Sequence, residues 1–101
     1  MNNLTEEEFS KHVGTQFRAT LGEHEINLTL TEVKRYMPGV NEEQGMERFS
    51  VFFDGPPDIV LPPQTYLLRH DQMGELDIFL GAIKGDAQRI NYEAVFNYYK
   101  H

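Results

Sequence analysis

The sequence contains no cysteine and only two serines, Ser10 and Ser50. The lack of cysteine excludes disulfides, thiolate nucleophiles and Cys-ligated metals, and fits a reducing compartment. Basic residues are few, nine Lys and Arg against sixteen Asp and Glu, for a formal net charge of −7. Nucleic-acid affinity comes largely from cations neutralising phosphates. A sparse and scattered set of cations therefore predicts no nucleic-acid partner and no anionic membrane surface. No stretch approaches the roughly 20 apolar residues of a membrane helix. The opening MNNLTEEEFSKHV lacks the basic start and apolar run of a secretory signal. The expectation is a cytoplasmic protein. Its 101 residues suit a single domain spanning 1–101.

Aromatics are plentiful, with five Tyr and seven Phe, so the chain has the material for a packed core. Residues 5–13, TEEEFSKHV, open with a helix signal. Thr5 and Glu8 have capping-box spacing, and Glu6, Glu7 and Glu8 complement the helix dipole. Leu4, Phe9 and Val13 supply the apolar stripe, and Gly14 supplies the stop. The period then falls to two. TQFRAT is a short strand through Phe17, and Gly22-Glu23-His24 is a turn. EINLTLT alternates strictly, with Ile26, Leu28 and Leu30 on one face. Val33 breaks that phase, which a bulge near Thr31-Glu32 explains.

Residues 37–48, rich in turn formers, are a loop. In FSVFF, Phe49, Val51 and Phe53 share one face and Phe52 takes the other. Such a strand is covered on both faces, or lines a closed barrel with one face under a helix. DGPP ends it, and Pro62-Pro63 keeps the following segment out of a central strand. TYLLRH, ELDIFLGAI and RINYEAVFNYY then form a meander, since loops as short as DQMG and KGDAQ join antiparallel neighbours. Gly81, inside an apolar run, suggests a bulge or close packing against a ring. The fold expected is mainly β: a small antiparallel β-barrel or rolled sheet of about six strands with one short N-terminal helix. A two-layer α+β sheet is the alternative.

Reactive constellations are missing from the pattern. His12, His24, His70 and His101 lie at no metal-ligand spacing, so surface or capping roles are expected and no metal or cofactor is implied. Neither serine sits in a nucleophile motif. Glu75 and Asp77 share the polar face of a half-buried strand. Glycine-rich phosphate cradles do not occur. His70-Asp71, in RHDQMGE, offers a base beside an acid. Neighbours in a strand face opposite ways, so the pair reads better as a hairpin corner: His70 closes the strand, Asp71 caps the turn, and Gly74 supplies positive φ. No catalytic residue is assigned. His70, Phe52, Tyr98 and Tyr99 are the candidate interaction residues, since aromatics are enriched at interfaces.

The blocks FSKHVGTQF, LTEV, FSVFFDGP, LPPQTYLLRH, MGELDIFL and YEAVFN resemble, in order and spacing, those of a family of short bacterial domains of unknown function. The resemblance runs from about Phe9 to Asn97. The chain departs from it at Gly81-Ala82-Ile83-Lys84, where the family tends towards a V-P-V-G-like stretch. The resemblance implies a small β-rich domain with no established activity, whose relatives are encoded near phage-tail-like structural proteins, and supplies no catalytic residues. The function expected is a non-catalytic binding or assembly module, with a protein partner or a homo-oligomer. The alternatives are a small hydrolase-type enzyme using Tyr66, His70, Asp71 and Glu93, or a carrier of a small apolar ligand in the barrel mouth.

Overall fold

The structure, a computed structural model, describes residues 5–35 and 46–99, with side chains except at 46–47 and 97–99. A short helix, α1 (Glu6–Ser10), precedes six strands: β1 (Gln16–Leu21), β2 (His24–Arg35), β3 (Met46–Gly55), β4 (Gln64–His70), β5 (Gly74–Gly85) and β6 (Ile90–Tyr99). They close into an antiparallel barrel in the order β1-β2-β3-β6-β5-β4. The loop expected at 37–48 falls mostly outside the described residues, and β3 already begins at Met46.

Two long strands make the closure possible. β2 pairs with β1 from His24 to Thr29 and with β3 from Thr29 to Arg35. β5 pairs with β4 through Gly74–Leu80 and with β6 through Gly81–Gly85. Each strand therefore changes partner partway along its length, which lets the single sheet close on itself. Each also carries a bulge. The register slips between Leu30 and Glu32 in β2, at the position expected, and between Ala82 and Lys84 in β5. The second slip lies just beyond Gly81, where a Cβ would meet nothing within 4 Å. Gly81 is thus neither the bulge itself nor packed against a ring.

Alternation does the rest. Phe17 and Ala19, Leu28 and Leu30, Phe49, Val51 and Phe53, Tyr66 and Leu68, Leu76, Ile78 and Leu80, and Tyr92 and Ala94 are buried in one core. Each large side chain so buried contributes on the order of 2 kcal/mol. Phe9 of α1 plugs one mouth, its ring 5.4 to 6.5 Å from those of Phe96, Phe49 and Phe17. Thr5 Oγ1 accepts the Glu8 N–H at 3.1 Å, so the cap forms as expected. The buried face of the helix differs from expectation. Val13 is half exposed, while His12 is buried, because α1 stops at Ser10 and the turn leading to Gly14 (φ 91°) swings Val13 outward.

The other mouth is closed by the β3–β4 connection. Leu61 is wholly buried there, and its N–H donates to Tyr92 Oη at 2.9 Å. Tyr92 Oη in turn donates to the Ile59 carbonyl at 3.5 Å, and Tyr66 Oη donates to that of Pro62. Two barrel tyrosines thus latch a proline-rich segment that has few N–H groups of its own to offer.

Candidate functional site

Sequence offers His70 first. It ends β4 with its ring inside the helix-covered mouth, 6% exposed, with the His12 ring 4.7 Å away and that of Phe17 at 4.3 Å. The Gln72 and Met73 N–H groups both donate to its Nδ1, at 3.0 and 3.1 Å. On the other side Nε2 lies 2.9 Å from Thr15 Oγ1. Thr15 spends its only hydroxyl proton on the His12 carbonyl, at 2.6 Å, so Nε2 must carry hydrogen and donate to Thr15. His70 is the neutral Nε2–H tautomer, with every polar position used. Burial first, and then the neighbouring His12, hold its pKa below the ordinary imidazole value.

The corner reading of RHDQMGE is therefore the geometry found, with one change of actor. The imidazole, not Asp71, caps the turn. Asp71 is exposed and accepts from Arg18 Nη2 at 3.2 Å. Gly74 has the expected positive φ, 80°. His12, expected in a surface or capping role, is buried, with Nε2 3.5 Å from Glu8 Oε2. His24 is exposed on β2, and His101 lies outside the described residues.

The four residues of the enzyme alternative do not share a cleft. Tyr66 points inward and is bonded to Pro62. His70 is committed at the other mouth and Asp71 lies outside. Glu93 falls between the inward residues Tyr92 and Ala94 and accepts from Ser50 Oγ at 2.6 Å. Of the interaction candidates, His70 is buried. Phe52 is half-buried on the outer face, paired across the sheet with Glu32 and Glu93. The side chains of Tyr98 and Tyr99 lie outside the described residues.

A feature that sequence reasoning missed lies where β2 changes partner. Before Thr29 meets Asp54, the β3 side of β2 has no strand partner among the described residues. An open groove of about 710 Å3 runs there, between β2 and the segment that follows β3. Glu25, Asn27 and Thr29 line one side, Asp54 and Asp58 the other, with Arg89 reaching in. Arg89 Nη1 donates to Asp54 at 3.3 Å, and Asn91 Nδ2 donates to the same carboxylate. The only signal in the sequence is the bulge near Thr31, which marks where a strand bends but not which edge the bend leaves open.

The family model that matches the chain is described as Domain of unknown function (DUF6916), and the match covers residues 4–96. No match was found among curated proteins or among solved structures.

Proposed function

The chain belongs to the DUF6916 family, whose description assigns no activity, and we propose that it is a non-catalytic binding or assembly module, accessory to a larger multi-protein structure of a phage-tail-like or similar kind. One observation carries this reading. The side chains best suited to chemistry are committed to holding the barrel together, whereas the groove beside β2 leaves strand backbone and the Asp58 carboxylate open to a partner. His70 locks a turn, Tyr66 and Tyr92 latch a loop, and Ser50 bonds Glu93. The barrel axis is filled by Phe17, Phe53, Tyr66 and Tyr92, which favours a surface site over an internal carrier.

Two measurements on the whole chain test this. Light scattering after gel filtration gives the oligomeric state, and affinity capture from the native organism gives a partner. A stable oligomer or a stoichiometric protein partner is the expected result. A strict monomer that captures nothing overturns the reading.

A further inference from the structure

The register of the β1–β2 hairpin determines which backbone groups face the groove. Leu21 pairs with His24 across the two-residue turn Gly22-Glu23, with Gly22 at φ 61°. The pair that closes a two-residue turn exchanges backbone hydrogen bonds, and bonded and non-bonded pairs then alternate along an antiparallel ladder. His24, Ile26 and Leu28 therefore bond β1, and the N–H and C=O groups of Glu25 and Asn27 point the other way. Leu30 agrees with this parity, since it exchanges bonds with Gly14 and Thr15 on the β1 side. Thr29 agrees as well, being the first residue to pair with β3. Two residues of strand edge thus open onto the groove. Among the described residues no backbone or side-chain group bonds them there.

The walls are acidic. Asp54 and Asp58 line the groove with Arg89 as the cation among them, and Glu25 lines it while its carboxylate reaches across β1 to Arg69. Arg89 is paired with Asp54, and Glu25 shares Arg69 with Glu75. Asp58 has no hydrogen-bond or ion-pair partner among the described residues. An unpaired strand edge is a template for another strand, and recognition by strand addition takes affinity from the main chain and specificity from flanking side chains.

We propose that the β2 edge at Glu25 and Asn27 takes up an extended, lysine- or arginine-bearing peptide segment of a partner protein as an added strand in this groove. Charge decides the occupant. A second copy of a chain with net charge −7 would set carboxylates against carboxylates, whereas a basic strand meets the Asp58 carboxylate. The inference rests on the binding-module reading and names its partner's chemistry.

The test uses the full chain and two synthetic peptides of about eight residues, an ordinary strand length, one alternating lysine with valine and the other glutamate with valine. Amide exchange is followed by NMR. In the free protein the Glu25 and Asn27 amides are expected to exchange fast and that of Ile26 slowly. The lysine peptide should slow Glu25 and Asn27 by about tenfold or more as their N–H groups become bonded, and the glutamate peptide should not. Asn27→Pro removes an outward N–H at an edge, where proline is tolerated, and should abolish that binding while the fold persists. Asp58→Lys, at an exposed position, should weaken it by about threefold or more and provides the test if the proline variant fails to fold.

Slow Glu25 and Asn27 amides in the free protein overturn the proposal. So does equal binding of the two peptides, binding of neither, or unchanged binding by the folded variants. Protection that rises with protein concentration alone makes the occupant a second copy and overturns it too. A native partner still captured by Asn27→Pro leaves the binding module standing and removes only strand addition.

Discussion

Protonating His70 requires a hydrogen on Nδ1, where two backbone N–H groups already point. Burial first, and then the adjacent His12 ring, hold its folded pKa below 6.5. The unfolded chain takes up the proton as pH falls through about 6.5, and the folded chain does so only at lower pH. Within that window the unfolded state binds more protons, so stability falls as pH falls. The His70 contribution is complete above about pH 6.5 and is lost progressively below it. Urea midpoints at pH 8 and pH 5 should show the decline, and His70→Ala should flatten it. The same substitution orphans two N–H groups and opens a gap, at a cost of about 3 kcal/mol at pH 8. An alanine variant as stable as the parent at pH 8 refutes the turn-lock role. The corner was legible because Gly74 and the change of pattern around it are local. A capping role for His70 was among the roles expected, but its tautomer was not legible, since the imidazole owes it to Thr15, fifty-five residues earlier.

Among the elements, the β3–β4 connection shows how a segment with little backbone to offer is held. Pro56, Pro57, Pro62 and Pro63 prevent regular pairing, so side chains on β4 and β6 supply the bonds. Tyr92→Phe keeps the ring and removes the acceptor of the buried Leu61 N–H. The expected loss is about 2 kcal/mol, read as a lower urea midpoint with an unchanged slope. Tyr66→Phe leaves a carbonyl rather than an N–H without its partner, and should cost less. Loop character here was readable from the prolines, but the latch was not, because inward tyrosines look like any other core aromatic in an alternating strand. The helix gives the same lesson. The Thr5 cap is a local pattern and was readable. Burial of His12 in place of Val13 depends on where a helix of five residues stops against a barrel that the helix sequence does not encode.

At the scale of the molecule, short connections identify neighbours along the chain, and those pairings were foreseeable from hairpin spacing. The barrel is completed by two pairings that no loop announces. β3 and β6 run together from Met46↔Tyr99 to Gly55↔Ile90, whereas β1 and β4 share only Arg18↔Arg69 and Ala19↔Leu68. Local opening follows the weaker ladder. Amides bonded across β1–β4 are expected to exchange with solvent before those of the central β3–β6 ladder, and the reverse order by NMR contradicts this account of closure. The long ladder has another consequence. It joins one meander, β1 to β3, to a second, β4 to β6, and the only covalent link between them is the latched segment of prolines. Every strand lies wholly on one side of that link. A nick between Pro57 and Val60 severs no strand, so the halves are expected to find each other as separate chains. Co-expressed as two polypeptides, they should copurify as a one-to-one complex with the β-sheet circular dichroism of the intact protein.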